Sequence, residues 1–218
     1  MFDRGNLKII DDGVAALYIE HSYAVQSTMS EEDVIAIATE KMETALAGAA
    51  EDTGVDENTA KAWIMYNSSD WSTMYSSGDT YNPSSKTDGI LATDVEITGE
   101  GSYTVSLDFT GTRRGSANSV VFSALGIANG ETLFPNYVAT ITEIKINGQT
   151  YTMQGKSYTS SDDGKCTRVN LYNEWVPVAN GRTADGDLTG ATPRLLDKDT
   201  LGDVETISIT FNYAPAGK

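Results

Sequence analysis

Ala62 to Tyr81 reads AWIMYNSSDWSTMYSSGDTY. It places five aromatics in twenty residues, Trp63, Tyr66, Trp71, Tyr75 and Tyr81, with no Lys, Arg or Glu and mostly small polar residues between them. Such residue types suit sugar recognition. A pyranose ring offers a face of C–H bonds that stacks on an aromatic ring, and its rim of hydroxyls takes short polar donors and acceptors. Any single one of these aromatics is as readily a core or edge residue of a β-fold. The cluster argues further, because the Ser, Thr, Asn and Asp residues inside it would each need an internal partner if all were buried.

A second group lies in TRVNLYNEW. If Val169 and Leu171 face a core, Arg168, Asn170 and Tyr172 share the opposite strand face, offering a fork of donors, an amide and a stacking ring. Asn173, Glu174 and Trp175 close that strand, and Trp175, followed by Val176 and Pro177, either walls the platform or packs under a loop. For Arg168 the competing role is a surface ion pair on an acidic protein.

Metal and catalytic chemistry have less to work with. Asp185-Gly186-Asp187 resembles the alternating carboxylates that furnish part of a calcium site, so a structural calcium is one expectation and solvated acidic turns the other. One His and one Cys make a usual zinc site unavailable. His21 sits in an apolar stretch and no GxSxG elbow accompanies it, so a serine triad is not expected; neither a Walker loop nor a dinucleotide GxGxxG is present. Glycoside hydrolysis is the rival activity, because it needs only two carboxylates beside a cleft. Glu143 and Glu174 are the pair to consider.

The elements that must position these residues change character near residue 60. Before it, Ser30 caps Glu31, Glu32 and Asp33, and apolar residues recur at Val34, Ile35, Ala38, Met42, Ala45, Leu46 and Ala49, which predicts one amphipathic helix over about 31–52. Gly13 to Val25 is apolar enough for either a strand or a buried helix. After it come strands. Tyr103, Val105, Leu107 and Phe109 alternate with Thr104, Ser106 and Asp108, and Ile207, Ile209, Phe211 and Tyr213 alternate with Ser208, Thr210 and Asn212. Asn147-Gly148 marks a hairpin of type I′. Further strands are expected at 62–66, 90–97, 119–125, 138–144 and 167–172, and Ile141, Ile144 and Ile146 cannot all face inward without a bulge. The expected fold is all-β, a two-sheet β-sandwich of jelly-roll type over residues 60–218, with an N-terminal helical appendage in residues 1–59.

The runs ILATDVEITGEGSYTVSLDFTG, SALGIANGETLFPNYVATITEIKINGQTY, YTSSDDGK, VNLYNEWV and DVETISITF, together with AWIMYNSSDW, resemble the β-sandwich carbohydrate-binding modules and related glycan-binding domains of extracellular glycanases and surface proteins of gut and rumen Gram-positive bacteria. The resemblance covers about residues 60–214. It implies a non-catalytic module that binds a plant cell-wall polysaccharide such as xylan, mannan or β-glucan, within a larger secreted or cell-surface chain. The net charge of -16, from 31 acidic and 15 basic residues, is consistent with that and argues against nucleic acid and anionic lipid. No apolar run of about 18 residues is present, so no membrane insertion is expected. The opening MFDRGNLKIIDDG lacks the features of a signal peptide and reads as the start of an excised piece. The single Cys166 leaves the compartment open. A structural or adhesive surface domain, with the aromatics packed between modules, is the third reading.

Overall fold

The computed structural model describes residues 56–68, 89–112 and 119–217. The chain divides into two compact units, Met1–Thr53 and Gly54–Lys218, and the described residues all belong to the second. The helix expected over 31–52, His21, and Trp71, Tyr75 and Tyr81 lie outside them.

Nine strands and one single-turn helix form from the described residues: β1 Ala60–Ser68, β2 Leu91–Thr93, β3 Val95–Ile97, β4 Gly101–Asp108, β5 Val120–Ala128, α1 Gly130–Leu133, β6 Tyr137–Ile146, β7 Gln149–Thr150, β8 Thr167–Asn173 and β9 Thr206–Pro215. They build two antiparallel sheets, ordered β3-β1-β5-β8 and β2-β4-β9-β6-β7. The arrangement is β-sandwich-like, with one hydrophobic core fed from both sheets. The segment expected as one strand from Ile90 to Ile97 is divided at Asp94: β2 joins one sheet and β3 the other. Aspartate disfavours the pleated ladder, which makes it a natural break between the two.

Period-2 patterning sets the register of the larger sheet. Val105 pairs with Ile209 and Leu107 with Ile207, and the rings of Tyr103 and Phe211 stack at 5.8 Å. On the outward face the hydroxyls of Thr104 and Thr210 meet at 2.9 Å. The β6–β7 hairpin turns through Asn147 at φ 51° and Gly148 at φ 77°, the two positive angles that a type I′ turn requires. In β6 the register shifts between Ile141 and Glu143, and this bulge allows Ile141, Ile144 and Ile146 all to be buried.

Tyr66 and Tyr213 are buried in the core. Tyr66 packs its ring 5.1 Å from Phe109, and its hydroxyl is buried with no hydrogen-bond partner among the described residues. Removing that hydroxyl is expected to cost nothing: Tyr66→Phe should leave stability unchanged or raise it by up to about 1 kcal/mol in urea unfolding, and a loss above about 1 kcal/mol contradicts the assignment. The Tyr213 hydroxyl donates to the Gly130 carbonyl at 3.2 Å. Burial pushes it up to about 12, and pushes Tyr66 up as well. A folded value above the unfolded one of about 10 contributes stability that is complete below about pH 10 and is lost as pH rises through the folded value. The urea midpoint should therefore hold level into mild alkali and fall above about pH 10, less steeply in Tyr213→Phe. A midpoint level to about pH 12 contradicts this.

Candidate functional site

Four of the side chains expected to grip a ligand are interior. Trp63 is 0% exposed and Tyr66 1%, both on β1. Tyr66 faces the other sheet, as its contact with Phe109 shows. Trp63 points the opposite way, in register with Gly126 of β5, and lies over that glycine: a Cβ added to Gly126 would come within 2.8 Å of Trp63 Cζ2 and Cη2. The run Trp63-Ile64-Met65-Tyr66 is buried throughout, the pattern of a central strand covered on both faces.

In β8, Asn170 is 1% exposed and Tyr172 4%. The expectation that Arg168, Asn170 and Tyr172 share one open face fails at a bulge. Asn170 pairs with Ala124 and Tyr172 with the next residue, Ser123, so Leu171 is the extra residue and Tyr172 moves to the other face. Through Ser123 it falls in line with Tyr66, whereas Asn170 lines up through Ala124 with Met65. Arg168 makes a two-pronged ion pair with Asp162, Nη1 to Oδ2 and Nη2 to Oδ1, the latter at 2.6 Å. Its competing role, an ion pair, is the one observed.

Trp175 is the opposite case: it is 70% exposed, directly after β8. A polar relay, buried at Asn170 and Asn173, ends on its backbone. The Tyr158 hydroxyl accepts from Asn170 Nδ2 at 3.0 Å, Asn170 Oδ1 accepts from Asn173 Nδ2 at 3.1 Å, and Asn173 Oδ1 accepts the Trp175 backbone N–H at 3.0 Å. From the other side Arg194 donates to the carbonyls of Asn173 at 3.5 Å and Glu174 at 3.3 Å, and its guanidinium lies 5.8 Å from the centre of the Tyr172 ring. The Glu174 N–H is taken by the Val121 carbonyl at 3.2 Å. The backbone that carries the exposed indole is thus held by hydrogen bonds, next to the exposed Glu174, whose carbonyl the exposed Arg194 engages, and three residues before the exposed Val178. Such a site can stack an apolar ring face and offer a carboxylate and a cation to hydroxyls. The parts that sequence reading did not find are Tyr158, Asn173 as a support, and Arg194. The signal that points to them is the pair Asn170 and Asn173 inside a strand, where asparagine is disfavoured unless its amide is used.

The site lies at one end of the four-stranded sheet, since Ser68 at the end of β1 pairs with Val120 at the start of β5, and Phe122 pairs with Asn173 at the end of β8. Trp71, Tyr75 and Tyr81 follow Ser68 in sequence.

The carboxylates of the acidic loop make local contacts. Asp185 accepts from the Thr183 hydroxyl at 2.8 Å, the Asp187 N–H at 3.1 Å and Lys156 Nζ at 3.1 Å, which hold its carboxyl at about 2; Asp187 accepts from the Thr189 N–H at 2.8 Å. Among the described residues no group of three or more His, Cys, Asp or Glu side chains is placed to hold a metal ion. The rival catalytic pair comes from different sheets. Glu143 belongs to β6 of the five-stranded sheet and is engaged by Lys145 at 3.1 Å and the Thr150 hydroxyl at 3.2 Å, whereas Glu174 follows β8 of the other sheet. Comparison with protein-family models, with curated proteins and with solved structures finds no match.

Proposed function

We propose that residues 60–218 form a non-catalytic carbohydrate-binding module of jelly-roll-like sandwich type, in a larger secreted or cell-surface chain. It holds a neutral plant cell-wall polysaccharide, xylan, mannan or β-glucan, against Trp175. The observation that carries this reading is the exposure of Trp175 on a backbone that Asn173 and Arg194 hold in place, because a ring on a backbone already ordered has less conformational freedom to lose on stacking. The net charge of -16 leaves a neutral glycan unrepelled. Trp71, Tyr75 and Tyr81 are further candidates for the same ligand. A protein-binding, adhesive role is the second reading, favoured by Val178, which is as exposed as Trp175 and only three residues away.

The test is migration through native gels containing soluble xylan, glucomannan or barley β-glucan, with an assay for released reducing sugar. Retardation on at least one glycan without sugar release is expected. Trp175→Ala should weaken it by about tenfold to a hundredfold, 1–3 kcal/mol, and change unfolding free energy by less than about 0.5 kcal/mol. Sugar release would favour the hydrolase reading with Glu143 and Glu174, and retardation on no glycan would favour the adhesive one.

A further inference from the structure

The chain has three Asn-Gly pairs, Asn129-Gly130, Asn147-Gly148 and Asn180-Gly181. In this dipeptide the deprotonated glycine nitrogen attacks the asparagine side-chain carbonyl carbon, the bond to the side-chain nitrogen breaks and ammonia leaves. The resulting cyclic imide then takes up water and opens to aspartate or isoaspartate. Glycine permits the attack because no Cβ shields its nitrogen and its backbone turns freely. The side-chain amide must also swing onto that nitrogen, so hydrogen bonds that fix the amide oppose the reaction.

Two of the three amides are fixed. Asn147 Nδ2 donates to the Asp203 carbonyl at 2.9 Å, and its Oδ1 accepts from the N–H groups of Glu205 at 2.7 Å and Thr206 at 3.0 Å. Asn129 Nδ2 donates to the carbonyls of Asp56 at 3.0 Å and Thr59 at 2.9 Å, and Gly130 is buried. Asn180 and Gly181 are both exposed, and the Asn180 amide has no hydrogen-bond partner among the described residues.

We infer that Asn180 is the site of spontaneous deamidation in the folded protein, and that Asn129 and Asn147 convert only when the fold opens. The position matters because the chain is tightly confined immediately after it. A Cβ on Gly181 would lie 2.1 Å from the Thr159 carbonyl oxygen, and Arg182 exchanges backbone hydrogen bonds with Thr159 at 2.8 and 2.9 Å. Isoaspartate at 180 adds a carbon to the main chain two residues before Arg182.

The experiment ages the intact protein in mildly alkaline buffer, with and without denaturing urea, and follows each asparagine by peptide mass mapping; Asn180→Gln is aged in parallel. In the folded protein Asn180 is expected to convert at least about tenfold faster than Asn129 or Asn147, because a pinned amide reacts only after local opening. In urea the three should converge to within about threefold, as the folded-state protection is gone. Asn180→Gln should remove the main acidic species that accumulates in the folded wild type. Conversion of Asn129 or Asn147 at the rate of Asn180 in the folded protein would overturn the inference, as would an Asn180 that stays intact when folded and converts in urea.

Discussion

Trp63→Ala is expected to lower the free energy of unfolding by about 3–5 kcal/mol, the range for emptying a buried aromatic site. The indole is fully buried and occupies the space that a side chain at Gly126 would fill; Met65 Cε is also 3.1 Å from that point. Truncation therefore empties the Trp63 position and uncovers a glycine that has no side chain to close the gap. For a unit of this size the loss corresponds to a fall of roughly 8–15 °C in Tm. The reciprocal change, Gly126→Ala, should cost about 1–3 kcal/mol through overpacking against the ring. In the double variant the new methyl enters the vacated space, so the two costs should fall short of their sum. Chemical denaturation of the three variants checks this. A Trp63→Ala protein of wild-type stability that no longer binds glycan would contradict it and return the ring to a ligand-facing role.

Arg182→Ala should cost about 2–3 kcal/mol, somewhat below the range for removing one partner of a fully buried pair because the Arg182 side chain is 31% exposed. Glu131 stands in the first turn of α1 and accepts from Arg182 Nη2 at 2.6 and 2.8 Å and from the Thr167 hydroxyl at 2.8 Å. The same guanidinium donates to the Tyr137 carbonyl from Nε at 3.0 Å and Nη2 at 2.8 Å. One planar group thus ties the loop after β8 to both α1 and the start of β6. Losing it leaves a carboxylate only 13% exposed without its countercharge. Arg182→Lys should recover less than half of the loss, since an ammonium cannot reproduce the fork. Denaturation at low and high salt separates this from a surface pair: a loss under about 1 kcal/mol, or one erased by salt, contradicts the account.

How much was legible follows from where the information sits. β4 and β9 are readable because each has one core face and one wet face, so alternation states both strand and orientation. The Asn147-Gly148 turn is readable because its two positive φ values admit few other residues. Even the β6 bulge is implied by the odd spacing of Ile141, Ile144 and Ile146. The β8 bulge leaves no such trace: Val169 and Leu171 alternate cleanly with Asn170 and Tyr172, and the irregularity exists only in the pairing of β8 with β5. Alternation alone therefore assigns Tyr172 to the face it leaves. The polar, aromatic residues that follow Trp63 and Tyr66 draw them toward a binding surface, although AWIMY alone is the continuous apolar run of a strand buried on both sides. Trp175 is readable as a candidate but not as an exposed one, since Tyr158, Asn170, Asn173 and Arg194, which support its backbone, come together only in the fold.

The most direct measurement compares wild type, Trp175→Ala and Trp63→Ala for glycan-gel retardation and thermal midpoint in parallel. The account predicts that Trp175→Ala melts with the wild type and loses retardation, whereas Trp63→Ala melts far lower and, wherever it remains folded, is still retarded. A Trp175→Ala protein that is retarded like the wild type would contradict it.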